Sequence, residues 1–272
     1  MTKLISISLT FIILIIPQLG FSINPMKEYK MTPEQFKLAY EEVKIKTADG
    51  ALLNTWVMKT SVEEKKNATF VIAGSDAGNM GFSLPYAINL LNRGYDVITF
   101  DYRGFGGSSD FEYKADNLYH NEYIEDFVSV INWVREELKV ENIAVLSFSM
   151  GTLVATEGYK QAKFDVFIGE GFLKCPKDVI QRIKQTKGKQ ILLPPKAELR
   201  CKQTVSLKIP ILLFASTQDE VTTLSDSEEV VAQKQNRRLV KFEGAHLRGA
   251  FTLGFRTYLD EIDRVVRMIE KK

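Results

Sequence analysis

Histidine and cysteine are scarce in this chain, with two of each among 272 residues. Any chemistry that needs an imidazole must use His120 or His246, and any disulfide within the chain must join Cys175 to Cys201. An excess of one charge is also missing. The formal net charge is +2, whereas a general nucleic-acid binder is normally strongly basic. No internal repeat, low-complexity tract or long Gly/Ser/Pro linker divides the chain, which favours one domain over two small ones. The glycine-rich stretch after Asp101 has no Gly-Lys-Ser/Thr ending and no Gly-x-Gly-x-x-Gly opening a helix. Nucleotide chemistry is therefore not expected.

The N-terminal apolar run is also short. It covers residues 4–16, softened by Ser6, Ser8 and Thr10, and falls below the ~20 residues of a spanning helix. Lys3 precedes it, Pro17 breaks it, and Gly20 and Ser22 place small residues three and one before a cut after Ser22. This is the layout of a secretory signal peptide over residues 1–22. An uncleaved membrane anchor is the alternative. No cysteine follows the run to carry a lipid. The expectation is an exported protein, periplasmic or secreted, beginning near Ile23 and keeping no stable membrane span.

What is present is an alternation of strand-like and helix-like segments. Residues 43–47 and 52–57 flank Ala48-Asp49-Gly50 as a hairpin, and short apolar strands are expected at 68–73, 95–101, 143–148, 164–168, 209–215 and 239–242. Helical spacing appears at 84–92, 123–138, 152–160 and 258–270. The pattern predicts an α/β fold with a mostly parallel sheet and helices on both faces. Ligands of such sheets bind at the carboxyl ends of the strands.

Five stretches stand at such ends. The first is Ser147-Phe148-Ser149-Met150-Gly151, where an apolar strand breaks into a helix with a serine at the corner. That is the context of a nucleophile elbow, although serines and glycines also meet by chance in loops. The others are the Gly74-Ser75-Asp76-Ala77-Gly78 loop, Asp101-Tyr102-Arg103-Gly104, the loop around Asp219, and Gly244-Ala245-His246.

With these residues in this order, the chain from Val43 onward resembles the α/β-hydrolase superfamily, in which Ser, Asp and His follow one another along the sequence. The segment Phe100-Asp101-Tyr102-Arg103-Gly104-Phe105-Gly106-Gly107-Ser108 is the most specific part of the resemblance. The resemblance implies an α/β-hydrolase fold over residues 23–272, an eight-stranded sheet, and a serine hydrolase without metal or other cofactor. In those terms Ser149 is the nucleophile, His246 the base and Asp219 the acid. The amide of Met150 is one oxyanion donor, and Ser75 in the Gly74 loop is the other. Two departures stand out. Ala73 occupies the place of a common histidine in the oxyanion loop, and Ser147 that of the first elbow glycine.

Some alternatives remain open from the residues alone. Glu170, between Gly169 and Gly171, is a rival acid, because the resemblance also admits an acid one strand nearer the nucleophile and the flanking glycines leave room for it to reach His246. His120 precedes the serine and reads as a surface or helix-start residue. Residues 172–208 form a cap-like insertion rich in Lys and Arg, either an attractor for anions or a solvated face. Both cysteines lie within it, so in an exported chain Cys175 and Cys201 are expected to be bonded, free thiols being the alternative. The expected substrate is a small ester or thioester. A peptidase or amidase, and a non-catalytic binding protein on the same scaffold, are the competing readings. No nucleic-acid partner is expected, and the sequence does not specify an oligomeric state.

Overall fold

A computed structural model describes residues 22–269, with the backbone alone described at 202–206. The expected leader, Ser22 excepted, lies outside the described residues. The sheet is built from β1 (Tyr40–Lys46), β2 (Leu52–Met58), β3 (Thr69–Ala73), β4 (Asp96–Phe100), β5 (Ile143–Phe148), β6 (Val166–Glu170), β7 (Ile211–Ser216) and β8 (Arg237–Phe242). Across it the order is β8-β7-β6-β5-β3-β4-β2-β1. Only the β1–β2 and β2–β4 pairs are antiparallel; the remaining neighbours are parallel. Strands β3, β5, β6 and β7 are buried along their whole length. A strand covered on both faces gains from apolar residues at every position, which is why these segments read as unbroken apolar runs.

Helices cover both faces. On one, α2 (Glu122–Glu136) and α3 (Met150–Gly158) pack Phe127, Val130, Leu153 and Val154 against Val71, Val145 and Phe167. On the other, α1 (Leu84–Asn92) and α5 (Phe255–Val266) pack Leu90, Tyr258 and Ile262 against Phe70, Leu146 and Phe214. The α5 contacts fall at Tyr258, Leu259, Ile262, Val265 and Val266, the stripe that helical periodicity requires. Asp263 on the same helix is buried but not unpaired. It receives Lys66 Nζ at 2.6 Å, Arg93 Nε at 2.8 Å and Tyr95 Oη at 2.6 Å.

The sixth strand runs later than its apolar composition indicates. Residues 164–168 were the expected span, whereas the strand is Val166–Glu170. Asp165 uses its carboxylate to accept the Ile143 amide at 2.9 Å, closing the start of the ladder from a side chain. At the other end the strand continues through Gly169 to Glu170. This shift puts Glu170 in the ladder opposite Phe148, next to the serine corner.

After β6 the chain forms α4 (Pro176–Lys187) and a 3-10 stretch over Ala197–Ser206. A disulfide joins Cys175 to Cys201 across these two pieces, with their Cα atoms 4.1 Å apart. Several of the insertion's cations hold it to the body of the protein. Arg182 donates to Thr223 Oγ1 at 2.9 Å and Asp226 at 2.6 Å, and Arg200 to Asn121 Oδ1 at 2.8 Å. Lys174 pairs with Glu229. These bonds account for part of the local excess of basic residues.

The order of the central strands locates the site. From β3 the chain moves to β4 on one side, then crosses to β5 on the other. A crevice at the carboxyl ends of β3 and β5 follows from that reversal.

Candidate functional site

Ser149 stands where β5 turns into α3, with φ 48° and ψ −116°. For a residue with a Cβ this is a strained conformation, which the surroundings must hold in place. They do so from several sides. The Ser149 amide donates to the Glu170 carbonyl at 3.0 Å, and its carbonyl accepts from the Thr152 amide at 2.9 Å and from Thr152 Oγ1 at 2.7 Å. Thr152 Oγ1 in turn accepts the Leu173 amide at 2.9 Å. At Gly151 a Cβ would lie 2.5 Å from the carbonyl oxygens of both Ala73 and Gly74. Only glycine allows α3 to start this close to the end of β3. The departure at Ser147 has a physical basis as well. This fully buried hydroxyl donates to the Ile168 carbonyl at 3.0 Å, so its polarity is satisfied across the β5–β6 pair.

The structure brings Ser149, His246 and Asp219 together. His246 Nε2 is 3.1 Å from Ser149 Oγ, and its Nδ1 is 2.5 Å from Asp219 Oδ2. Asp219 lies in the loop after β7 and His246 in the loop after β8, so three separate strand ends converge. Asp219 Oδ1 accepts the amides of Val221 and Thr222, both at 2.9 Å. Its Oδ2 also accepts Thr222 Oγ1 at 2.5 Å. Burial disfavours the Asp219 charge, but His246 and these donors outweigh it and hold the carboxyl down at about 2. An ionised Asp219 orients the imidazole with Nδ1–H toward itself, leaving the Nε2 lone pair for the serine hydroxyl. Thr222 is a member of this group that no sequence pattern announced.

Glu170 is not hydrogen-bonded to His246, whose Nδ1 is taken by Asp219. Its Oε1 accepts the Gly249 amide at 2.6 Å and its Oε2 the Tyr258 hydroxyl at 3.0 Å. Burial pushes this carboxyl up, against the pull of those two donors. Glu170 therefore ties the serine corner, through its carbonyl, to the segment following His246, through its carboxylate. Next to it, Gly171 leaves room for the imidazole: a Cβ there would sit 2.6 Å from His246 Cε1. His120 lies elsewhere and is buried rather than on the surface. Its Nε2 accepts the Lys114 amide at 3.1 Å, and its ring meets Phe111 and Tyr123 edge-on.

The Asp-Tyr-Arg-Gly segment forms a latch beside the crevice. Asp101 accepts the Tyr29 hydroxyl and the Met80 amide, the latter at 2.7 Å. Arg103 binds Asp126 at 2.8 Å and Asp49 at 2.9 Å. The residues after the expected leader add a strap: Asn24 and Pro25 pair with Ala77 and Gly78, and Ile23 is buried.

Two hollows flank the Gly74 loop. A cleft of about 180 Å³ contains Ser149, Met150, Asp219 and His246 on its wall, with Asp76 from the loop and Val179, Ile183, Lys187 and Lys189 from the insertion. A larger cavity of about 490 Å³ lies on the other side of the loop and is lined by Gly74 and Ser75. Of the two expected oxyanion donors, Met150 lines the same cleft as Ser149, whereas Ser75 lines the neighbouring cavity. Among the described residues, no cluster of three His, Cys, Asp or Glu side chains could hold a metal ion.

Residues 74–163 match the family described as "alpha/beta hydrolase fold". The chain is 26% identical over 207 residues to protein bem46 of Schizosaccharomyces pombe, covering 72% of this chain and 66% of that one. It is 28% identical over 217 residues to the YfhR protein of Escherichia coli O157:H7, covering 76% and 73% respectively. A structure of the Pyrococcus furiosus esterase Pf2001 superposes with a TM-score of 0.73 at 20% identity, over 90% of this chain and 99% of that chain.

Proposed function

On the premise that this chain belongs to the α/β-hydrolase superfamily, we propose that it is a serine hydrolase that cleaves carboxylic esters or thioesters. The observation that carries this reading is the unbroken hydrogen-bond chain from Ser149 Oγ through His246 to Asp219. A serine hydroxyl is a weak nucleophile without an adjacent base. As Ser149 Oγ bonds to the acyl carbon, its proton passes to His246 Nε2. The imidazolium, stabilised by Asp219, returns that proton to the departing alcohol or thiol as the acyl C–O or C–S bond breaks. Water then attacks the acyl-enzyme with His246 again as base, releasing the acid and restoring the serine. The Met150 amide and an amide of the Gly74 loop are the proposed oxyanion donors, each contributing about 100- to 1000-fold to turnover.

The disulfide in the insertion supports export to an oxidising compartment. No helix of the described residues is long and apolar enough to cross a membrane. The test of the reaction is a panel of p-nitrophenyl esters set against aminoacyl p-nitroanilides. The expected result is a kcat/KM for the best ester at least about 100-fold above that for any anilide, lost on Ser149→Ala. A preference for anilides would make the protein an amidase instead.

A further inference from the structure

The larger cavity is lined by the chain neighbours of the reacting groups rather than by the groups themselves. Its wall includes Phe148, which precedes Ser149, Leu247, which follows His246, and Gly74 and Ser75 of the loop that packs against Gly151. The cavity measures about 490 Å³, within the range of pockets that enclose small ligands. Its chemistry is apolar, with Met80, Tyr86 and Phe105 inside and Phe82 and Phe251 at the rim. Phe82 and Phe251 are 44% and 49% exposed, so their rings offer apolar surface at the edge of the cavity.

Two of the polar residues of this wall, Asp101 and Asn79, are engaged by other partners. Asp101 accepts Tyr29 and the Met80 amide. Asn79 accepts the Gly81 amide at 3.1 Å and donates to the Glu28 carbonyl at 2.8 Å. At the wall's edge, Arg248 lies over the Phe251 ring at 4.6 Å.

We propose that this cavity is the acyl pocket, and that it selects esters or thioesters of medium-length apolar acids. The inference rests on the hydrolase reading above and adds the substrate class. It assigns the two halves of the substrate to the two hollows. His246, which must protonate the leaving oxygen or sulfur, lies on the wall of the smaller cleft and not of the larger cavity. The alcohol or thiol half therefore occupies the cleft under the insertion. The acyl half, on the opposite side of the reacting carbon, falls to the apolar cavity.

The test measures kcat/KM for p-nitrophenyl esters from acetate to dodecanoate, and for alkyl acetates of rising alcohol length. Wild type is expected to improve from acetyl to about octanoyl, by up to about fourfold for each methylene that becomes buried, and then to decline. Ser83 is buried in the cavity wall. Ser83→Leu should lower the octanoyl-to-acetyl ratio at least about tenfold, equivalent to two lost methylenes, without changing the alcohol-length profile. Phe251→Ala, at the exposed rim, should move the acyl optimum to longer chains, and it keeps the test available if Ser83→Leu does not fold. An acyl profile that neither variant alters, or an effect confined to the alcohol series, would overturn the assignment. Failure of wild type to turn over any ester would instead end the hydrolase reading and this inference with it.

Discussion

At the scale of single residues, Ser149, Asp219 and His246 were legible because each stands just past an apolar strand, in an order that one fold uses. Their supports were not. Glu170 meets Gly249 and Tyr258 from 79 and 88 residues away, and no local pattern encodes contacts at that range. The geometry gives the two carboxylates different tasks, so their variants should part company. Asp219→Asn should reduce turnover by roughly 10⁴-fold, because the imidazole loses the partner that fixes its tautomer. Glu170→Gln should stay within about tenfold of wild type, since an amide can still accept from Gly249 and donate to Tyr258. Glu170→Ala should instead destabilise the fold by about 1–3 kcal/mol for each donor left unpaired. Turnover on a short-chain ester, with circular dichroism as the check on folding, separates these outcomes. A nearly normal Asp219→Asn beside a collapsed Glu170→Gln would reverse the roles. Asp219 also carries a pH signature. Its carboxyl is held at about 2 in the fold against an ordinary 3.8, so its contribution to stability is present above about 3.8 and lost as pH falls through about 2. Urea midpoints measured from pH 5 to pH 2 should fall more steeply for wild type than for Asp219→Asn.

Among the elements, the core strands and the helices α1 and α2 followed from periodicity, because burial on one or both faces leaves a repeat in the sequence. The insertion did not follow. The exposed side of α4 carries Lys177, Lys184 and Lys187, and its buried side needs only Val179 and Ile183 beyond its first residue, Pro176. So sparse an apolar stripe becomes meaningful only once the cleft beneath it is known. The basic character of the segment also needed the structure, because Arg182 and Arg200 are fasteners to Asp226 and Asn121. The disulfide completes that attachment. Closing a loop with a sequence separation of 26 should contribute about 3 kcal/mol through the entropy of the unfolded chain. The paired variant Cys175→Ser, Cys201→Ser should therefore show a lower urea midpoint than wild type under non-reducing conditions. Equal midpoints would mean that the bond does not constrain the chain.

For the whole molecule, one sheet with a reversal at β3 brings the serine corner, the Gly74 loop, Asp219 and His246 to a single edge. Strand alternation was enough to expect that arrangement. The division of the edge into two hollows was not, because it depends on residues 24–25 pairing with 77–78 and on the insertion above. Both features join segments far apart in sequence. This edge is expected to carry an activated serine, the group that a fluorophosphonate probe labels covalently. Intact mass and peptide mapping should find one adduct per folded chain, on Ser149, with labelling absent from Ser149→Ala and strongly slowed in Asp219→Asn. A folded wild-type protein that takes up no probe, or takes it up at another residue, would contradict that expectation.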